Sequence, residues 1–559
     1  MIGPYLVLII GMFFSAFCLA TQHTIYVSPT GGVIEFEGEK IEATELHKAL
    51  EAAKPGTLIQ LTPGVYTGKH NIRLSATEAN PIVIRGLNEK TLFDGKRKPG
   101  DDTYCFGFIG ATWIKVENLS FKNCWAAPIA IENSSYLTFS HLYAEESRFM
   151  IFAHGERTHH LLIENSTWVQ DPSGAVWHTI PWAESHHGTH KYYNGGMLST
   201  RRILGSVIFR NNVVKNSFNG FRMIGEENSN KVQNVNVEIY NNYFENTRDN
   251  PIEPERSAYN WWIHHNRIKN AHALYSFTKV GGGDWFVFHN IGWFDQKPGG
   301  PSNTGGKIFK FAKEGAYPSK RFYVFNNSWY SRSPLVGSGQ SRGFTYWNNA
   351  TYFVGPKIMS KKKDWHESYV SDYNLSNLSF KGELSEFSQD KHSIVSDKKM
   401  FVDAENGDFR LAEKSAAIDA GRIIELNGWR SEYSGRAPDI GAYEGEELLP
   451  GPPFRFDDSS YQEAPRVVQV RAKKSNLQMS FSVPITKKDS ESISIRLANG
   501  SVVNIACTLN AYDLSCLLPD NIQINQIESV SISSAIKGKN GLPVTLWAAP
   551  TDGIKIQLH

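Results

Sequence analysis

The chain has 559 residues and a formal net charge of +2, a length that fits one long repeat domain with a smaller domain beside it. A charge so close to zero gives no global field for nucleic acid or for an acidic membrane surface, so any electrostatic function is local. Aromatic residues make up 12% and charged residues 20% of the chain, a composition that argues against large disordered tracts.

The first segment is an apolar run that ends in small residues, MIGPYLVLIIGMFFSAFCLATQ. It predicts a signal peptide over residues 1–20, cut near Ala20, and therefore a secreted or periplasmic protein. The run has no Lys or Arg before its apolar part, which leaves an uncleaved membrane anchor as the alternative. No later segment is apolar enough to cross a bilayer, so stable membrane insertion is not expected.

Four of the five cysteines remain once Cys18 leaves with the signal peptide. An even number in an exported chain permits disulfides. Cys507 and Cys516 flank a short polar turn between two strand-like runs, so we expect them to pair. Cys105 and Cys124 lie about one repeat apart and either link neighbouring coils or remain as buried free thiols.

The middle of the chain repeats a short phrase of β-branched or aromatic residues around an asparagine, as in LLIENSTW, VEIYNNYF and FYVFNNSW. Several neighbouring copies are separated by about 22 to 24 residues, which indicates a solenoid, and the short alternating runs indicate strands. Stacked asparagines hydrogen-bond from coil to coil. We interpret the repeated asparagines as turn and ladder residues: Asn118, Asn165, Asn212, Asn242, Asn266, Asn290, Asn327 and Asn349.

With these coils the chain resembles the right-handed parallel β-helix proteins of the pectin-lyase-like superfamily. The segment LHKALEAAKPGTLIQLTPGVYTG is similar to the short capping helix and first coil of that fold. The segments FVDAENGDFRLAEKSAAIDAG and APDIGAYE are similar to its closing part. The resemblance implies an all-β fold, a right-handed parallel β-helix over residues 21–445. It does not select one activity, because lyases, hydrolases, epimerases and adhesins share this fold.

The remainder of the chain predicts a second domain. Residues 446–464 are rich in Pro, Gly and acidic residues and are interpreted as a linker. Alternating runs such as LQMSFSVPI and SISIRLANGSVV predict a small Ig-like β-sandwich over residues 465–559. Its expected roles are spacing, capping or weak glycan contact.

Charge is concentrated in the stretch DNPIEPERSAYNWWIHHN, from Asp249 to Asn266. Aligning the coils on Asn216, Asn246 and Asn270, with a slip of one residue allowed, places Arg222 beside Glu253. The same alignment places Glu255 beside Thr278 or Lys279.

Glu253 and Glu255 are two residues apart, so on a strand they point to the same side. His154 is expected at a similar position one coil before Arg222, and Lys310 one coil after Lys279. A groove lined by both signs of charge suits an anionic sugar chain, with Arg256 and Lys310 as substrate-binding residues. The alternative is a solvated salt-bridge network.

A long insertion between the Asn165 and Asn212 coils carries histidines and aromatic residues. Long loops in compact domains are usually functional or disordered, and the aromatic content argues against disorder. Trp182, Tyr192 and His187 are candidate sugar-binding residues, and Tyr193 is a candidate acid or base. The histidine spacing matches no regular zinc motif.

The leading functional hypothesis is a lyase that cleaves a uronate-containing polysaccharide by β-elimination. This reaction needs neutralisation of the uronate carboxylate, a base at C5 and an acid for the leaving oxygen. Calcium held by Asp249, Glu253 and Glu255 would neutralise the carboxylate. Lys279, His154 and Tyr193 are the candidate bases or acids, with Arg222 beside Glu253 as a further catalytic residue.

Glu253-Pro254-Glu255 is similar to the calcium-binding Glu-x-Glu pair of the chondroitinase B and alginate lyase group. The resemblance breaks at Asn260, which stands where that group has its lysine base, so the lysine role is not transferred. The alternatives are a glycoside hydrolase with paired carboxylates, a C5-epimerase and a non-catalytic, glycan-binding surface protein. We expect a monomer.

Overall fold

The computed structural model describes part of the chain, and all structural statements refer to that part. The described residues are 23–36, 38–180, 187–226, 233–277, 280–295, 305–311, 322–337, 343–358, 369–379, 390–426, 429–448, 465, 467–473, 475–481, 485–486, 493–510, 513–538, 541–544 and 555–558. The predicted signal peptide lies outside these residues, as does most of the predicted linker.

Three long sheets dominate the described residues, with 13, 13 and 10 strands. The first sheet contains Thr24–Val27, Leu58–Leu61, Ile82–Gly86, Thr112–Glu117, Ser135–Ser140, His159–Glu164, Gly205–Arg210, Val235–Tyr240, Ser257–His264, Gly281–Phe288, Phe322–Phe325, Phe344–Trp347 and Val370–Asp372. The second sheet contains Gly64–Tyr66, Thr91–Asp94, Ser120–Lys122, Tyr143–Glu145, Thr167–Val169, Val213–Ser217, Tyr243–Thr247, Arg267–Ala271, Ile291–Trp293, Ser328–Ser331, Ala350–Phe353, Leu375–Ser376 and Ile394–Val395. The third sheet contains His70–Ile72, Tyr104–Ile109, Ala127–Glu132, Ile151–His154, Leu198–Arg201, Phe221–Ile224, Ile252–Glu255, Ala273–Ser276, Lys307–Lys310 and Val336–Gly337.

Each coil of the chain supplies one strand to each sheet, and strands of successive coils pair in parallel and in register, as Leu161 does with Val207. Alternate side chains point inward and form one continuous apolar core. Because equivalent positions lie one above another, aromatic rings stack inside it, such as Trp285 on Phe322 with centroids 4.4 Å apart. The predicted parallel β-helix is confirmed.

Short elements cover parts of the solenoid. A helix, Leu46–Ala52, buries Leu46, Ala49 and Leu50, which lie on one face because of their i, i+3, i+4 spacing. One two-stranded antiparallel pair, Gly32–Phe36 with Glu39–Ala43, lies near the N-terminal end. Three more follow the last coil in the chain: Phe401–Asp403 with Asp408–Leu411, Glu425–Leu426 with Trp429–Arg430, and Tyr443–Glu444 with Glu447–Leu448. This segment packs along the side of the solenoid, where Phe409 contacts Trp293. A 3₁₀ turn, Ala404–Asn406, precedes Asp408.

An asparagine ladder runs through the turn between the first and second sheets. The backbone N–H of Asn242 donates to the Oδ1 of Asn266 at 3.1 Å, and Asn266 donates in the same way to Asn290 at 3.0 Å. The ladder continues through Asn212, Asn327, Asn349 and Asn374. Most of the predicted ladder residues are therefore in place.

Asn118 and Asn165 belong to a different position of the same turn. Both have left-handed backbone angles, with φ of 56° and 50°. The residue after Asn165 is Ser166, whose N–H donates to Asn212 and so holds the ladder position. Asparagine suits both positions, because it tolerates the left-handed region and also hydrogen-bonds across coils, which is why the sequence pattern does not separate them.

The predicted insertion between the Asn165 and Asn212 coils is part loop and part coil. Its last residues, Leu198–Arg201, form a strand of the third sheet, so an additional strand separates Ile151–His154 from Phe221–Ile224. The loop itself contains a short helix, Ala175–His178, and a 3₁₀ helix, Gly188–Tyr193. The apolar contacts of Val176 and Ile180 with Phe218 hold it against the coil.

Both disulfides are present. Cys105–Cys124 joins a strand of the third sheet to the turn that leads into the next coil, and Cys507–Cys516 joins two neighbouring strands of the C-terminal region. The predicted Cys507–Cys516 pair is thus confirmed, and of the two alternatives for Cys105 and Cys124 the structure contains the disulfide. Disulfides are typical of oxidising compartments, which is consistent with export.

The C-terminal region forms two four-stranded sheets on a common apolar core. One sheet contains Val467–Lys473, Asn476–Phe481, Asp513–Leu517 and Cys507–Asn510, and the other contains Val502–Ile505, Ile493–Leu497, Ile527–Ile532 and Lys555–Leu558. A short pair, Ile485–Thr486 with Lys537–Gly538, and a 3₁₀ turn, Ile524–Gln526, complete the region. Its classification as Ig-like remains a prediction.

The described residues include no helix that is long and apolar enough to cross a membrane.

We predict that Asn242→Ala lowers the free energy of unfolding by about 2–4 kcal/mol, because it leaves two backbone groups of the preceding coil, the Asn212 N–H and the Phe209 carbonyl oxygen, without their side-chain partner. Asn242 is buried and also donates from Nδ2 to the Phe209 carbonyl oxygen at 2.8 Å. Urea unfolding followed by tryptophan fluorescence measures the loss. The matched control is Asn241→Ala, at an exposed turn residue with φ of 55°, where we expect about 1 kcal/mol. Equal losses in the two variants would contradict a stabilising ladder.

Candidate functional site

The outer face of the third sheet carries the charged residues that the sequence singles out. Parallel pairing aligns Arg222 with Glu253, and Ser276 with Lys310 two coils further on. On the other side Arg222 pairs with Ser199, and Ser199 pairs with Phe152. These residues form one outward row with a spacing of about 4.8 Å between strands. Arg222 and Glu253 therefore lie side by side on neighbouring strands, as predicted.

The local sequence produces this alignment through asparagines at the turn between the second and third sheets. Asn246 donates to Asn216 at 3.1 Å and Asn270 donates to Asn246 at 3.1 Å, so the three anchors of the sequence alignment form a second ladder. Gly220 permits close approach of the next coil, because a Cβ there would lie 2.5 Å from the Pro251 carbonyl oxygen. The charged strands are thus held in a fixed register.

Arg222 is the centre of the charged cluster. Its Nε lies 3.2 Å from the Oε2 of Glu253, and a terminal nitrogen donates to the Oε1 of Glu255 at 3.0 Å. Burial acts to lower the pKa of Arg222, but the charges of Glu253 and Glu255 outweigh it and hold the pKa above the ordinary value. Arg222 is therefore a permanent cation between two carboxylates.

Glu253 is the most buried of these carboxyl groups, with 5% of its side chain exposed. Burial and repulsion from Glu255 raise its pKa to about 7, against the opposing effect of Arg222. A carboxyl group in this state holds or releases a proton near neutral pH, which is the property that acid–base catalysis requires. Structural ion-pair networks also shift pKa values, so the shift alone does not assign a role.

A second ion pair joins Asp249 to Lys310, which lies two coils beyond the Glu253 strand. The Nζ of Lys310 lies 3.2 Å from the Oδ1 of Asp249 and donates to the Oδ1 of Asn250 at 2.9 Å. Burial acts to lower the pKa of Lys310, but Asp249 and Glu253 raise it above the ordinary value. Burial and the positive charge of Lys307 lower the pKa of the nearby His272 to about 3. Lys310 is thus a fixed cation, and His272 is neutral.

The insertion reaches this cluster through Asn194, which the sequence analysis missed. The Oδ1 of Asn194 accepts a hydrogen bond from Arg222 at 3.1 Å, and its carbonyl oxygen accepts one from the Nε of Arg148 at 3.0 Å. The buried Gln170 holds the same segment by donating to the carbonyl oxygens of Tyr193 and Arg148. Only the position of Asn194 next to the predicted Tyr193 hinted at its role.

Of the predicted aromatic and histidine residues of the insertion, Tyr193, Tyr192 and His187 belong to the described residues and precede Asn194 in the chain. Tyr193 packs edge-on against Trp125 with ring centroids 5.5 Å apart, and burial together with the charges of Asp171 and Glu146 raises its pKa. Tyr192 faces Gly100, and His187 is exposed just before the 3₁₀ helix. Trp182 lies outside the described residues.

The prediction for His154 is wrong in position. Parallel pairing runs from His154 through Arg201 and Ile224 to Glu255. Three strand spacings therefore separate His154 from Glu255, roughly 14 Å. The cause is the strand Leu198–Arg201, which the sequence analysis took for loop.

Two other predicted residues flank the cluster. Arg256 has a left-handed backbone, with φ of 67°, and donates to the Gly225 carbonyl oxygen at 3.3 Å. Lys279, together with its neighbour Thr278, lies outside the described residues. The roles proposed for Arg256 and Lys279 therefore remain predictions.

The three predicted calcium ligands are oxygen donors of the type that calcium prefers. In this structure each one contacts a cationic side chain: Asp249 contacts Lys310, and both Glu253 and Glu255 contact Arg222. Among the residues that the structure describes, no three Asp, Glu, His or Cys side chains are grouped so as to hold a metal ion. Calcium therefore remains a prediction from the sequence.

Comparison with known proteins gives one curated relative and several structures of similar shape. The chain is 23% identical over 457 residues to pectate lyase L of Dickeya chrysanthemi, covering 76% of this chain and 91% of that protein. The crystal structure of the pectate lyase Pel9A covers 76% of this chain and 97% of its own, with 15% identity and a TM-score of 0.40. A lacto-N-biosidase from Eubacterium ramulus covers 64% and 68%, with 12% identity and a TM-score of 0.44.

No protein-family model matches the chain. The similarity to pectate lyase L confirms the predicted resemblance to carbohydrate-active β-helix proteins and points to a polysaccharide lyase.

We predict that Glu253 makes the stability of the protein depend on pH. Its folded-state pKa of about 7 lies above the ordinary 4.5, so this contribution is fully present below pH 4.5 and is lost as the pH rises through 7. The expected slope is at most about 1.4 kcal/mol per pH unit. Urea unfolding between pH 5 and 7 is expected to show a weaker decline in Glu253→Gln than in the wild type. Glu405→Gln, at an exposed carboxylate, is the control, and equal slopes in all three proteins would refute the raised pKa.

Proposed function

We propose that the protein is a secreted polysaccharide lyase that cleaves a uronate-containing polysaccharide by β-elimination. The observation that carries the proposal is the arrangement around Arg222, a permanent cation that contacts Glu253, a carboxyl group with a pKa of about 7, on the outer face of the third sheet. The similarity to pectate lyase L over most of the chain supports the same reaction class.

The charges of the cluster suit the intermediate of this reaction. Removal of the C5 proton places negative charge on the uronate carboxylate, and a fixed cation stabilises that charge. Arg222 and Lys310 both keep their positive charge at neutral pH, because neighbouring carboxylates raise their pKa values. Lys310 therefore acts in this proposal as a cation for the substrate and not as the base.

The proton transfers need groups that exchange a proton near neutral pH. Glu253 has this property, and Lys279, His154 and Tyr193 are the other candidates from the sequence. The raised pKa of Tyr193 keeps its hydroxyl protonated, which favours donation to the leaving oxygen over abstraction of the C5 proton. We therefore propose Tyr193 as the acid and Lys279 as the base.

A glycoside hydrolase is the second candidate, because Glu253 and Glu255 contact the same guanidinium and differ in their environment. A pair of nearby carboxyl groups is the usual arrangement for hydrolysis of a glycosidic bond. A hydrolase and a lyase give different products, so one assay separates them.

The first prediction of the lyase proposal concerns the reaction product. We expect the mature protein to release oligosaccharides with an unsaturated uronate end, seen as rising ultraviolet absorbance together with new reducing ends on a polyuronate. New reducing ends without absorbance would identify a hydrolase. If a panel of uronate and sulfated polysaccharides yields neither signal while the protein binds one of them, epimerisation or adhesion replaces the lyase proposal.

The second prediction concerns the residues. Lys279→Ala, which removes the proposed base, and Glu253→Gln, which removes the carboxylate that contacts Arg222, are each expected to lower kcat/KM by about a hundredfold or more. Glu405→Gln and Lys414→Ala, at exposed positions, are the matched controls and are expected to retain wild-type rates. Full activity in both Glu253→Gln and Lys279→Ala would place the site elsewhere.

The third prediction concerns calcium. If Asp249, Glu253 and Glu255 hold calcium in the substrate complex, a chelator is expected to abolish cleavage and added calcium to restore it. The same titration with Asp249→Asn is expected to need more calcium for half-maximal activity. Activity that is insensitive to the chelator would assign the carboxylates to ion pairing and proton transfer alone.

A further inference from the structure

Arg148 lies beside the candidate site but outside its ion pairs. It is half-buried, its Nε donates to the Asn194 carbonyl oxygen at 3.0 Å, and its guanidinium lies over the ring of Phe149 at 4.9 Å. Among the residues that the structure describes, no carboxylate lies within ion-pair distance of Arg148. The contacts fix the Nε edge and one face of the guanidinium, so its orientation is set before any ligand binds.

Arg148 is also surrounded mainly by like charge. Asn194 accepts from both Arg148 and Arg222, which brings the two guanidinium groups to one residue. Burial and the charges of Arg222 and Arg201 lower the pKa of Arg148, while the exposed Asp102 acts in the opposite direction. Arg222 is neutralised by two glutamates, but Arg148 is not. An oxyanion of a ligand would relieve this repulsion.

The surface next to Arg148 has the other features of a sugar site. Phe149 stacks on Phe152 with ring centroids 5.0 Å apart, and Phe152 begins the outward row that leads through Ser199 to Arg222. Ser199 is 4% exposed, and within the described part of the chain its Oγ has no hydrogen-bond partner. Buried hydroxyl groups are normally satisfied, so an unsatisfied one on this face indicates a ligand or water.

We propose that Arg148, Phe152 and Ser199 form a subsite for an anionic sugar residue of the substrate, with Ser199 one strand spacing and Phe152 two strand spacings, roughly 10 Å, from the Arg222 strand. The inference rests on the proposed function, since it assigns a second charged residue to the polysaccharide that the site takes. Arg148 binds the carboxylate or sulfate of that residue through its free edge, Phe152 packs against the ring, and Ser199 donates to a ring substituent. The protein then selects chains with charge on more than one residue.

Titration calorimetry with three size-matched oligosaccharides tests the subsite: a polygalacturonate, a sulfated galactan and a neutral cello-oligosaccharide. We expect wild-type protein to bind at least one anionic oligosaccharide and Arg148→Gln to bind it about tenfold more weakly, the scale of one charge-assisted hydrogen bond. The affinity of Arg148→Gln is also expected to fall less steeply with salt. The anionic oligosaccharide that loses affinity identifies the oxyanion as carboxylate or sulfate.

Two further variants keep the test decisive. Arg148→Lys keeps the charge but not the planar fork, so an intermediate affinity with the wild-type salt slope is expected. Arg410→Gln, at an exposed arginine paired with Asp408, is the matched control and is expected to bind as the wild type does. Wild-type affinity and salt slope in Arg148→Gln would overturn the subsite, and so would failure of the wild type to bind either anionic oligosaccharide.

The outcome is independent of the lyase assay. Binding that weakens in Arg148→Gln without any unsaturated product would support the subsite while the lyase proposal fails. Unsaturated product with an unchanged KM and Kd in Arg148→Gln would leave the lyase and remove the subsite.

Discussion

In-register parallel pairing of successive coils is the constraint on which the rest of this structure depends. Each residue of a coil lies about 4.8 Å from the equivalent residue of the next coil. Side chains at equivalent positions therefore contact one another from coil to coil. Apolar and aromatic residues gain from this repetition, because they form a continuous core. Asparagine gains as well, because it is donor and acceptor at once and forms a ladder from Asn212 to Asn374.

Charged residues are penalised by the same repetition, because identical charges would lie directly opposite one another. On the third sheet the chain alternates signs, with Arg222 between Glu253 and Glu255 and with Lys310 beside Asp249. The second sheet has a more exposed example, in which Lys215 and Lys269 both contact Glu245. The cluster on the third sheet is the more buried of the two, and within it the pKa of Glu253 is raised to about 7.

The insertion adds a second surface beside the charged residues of the third sheet. Gln170, which is fully buried, joins the insertion to the coils on either side, and Asn194 then contacts both Arg148 and Arg222. A flat sheet of a solenoid offers a ligand only one surface, whereas an insertion beside it adds a second surface and excludes water. The contacts of Asn194 join Arg222, which two glutamates neutralise, to Arg148, which pairs with no carboxylate among the described residues. This difference is the basis for the proposed subsite.

The sequence by itself determined the repeat, the class of fold, the Cys507–Cys516 pair and the neighbourhood of Arg222 and Glu253, because period and spacing carry over directly to stacked coils. It left the pairing of Cys105 with Cys124 open. It did not determine the contacts of Arg148 and Asn194 or the place of His154, since these depend on how a long insertion folds and on an extra strand hidden in it. Nor did it separate the turn position of Asn165 from the ladder position of Asn212. The burial of Glu253 was decided by tertiary structure alone, because the pKa of a carboxyl group depends on the solvent and charges that the whole fold places around it.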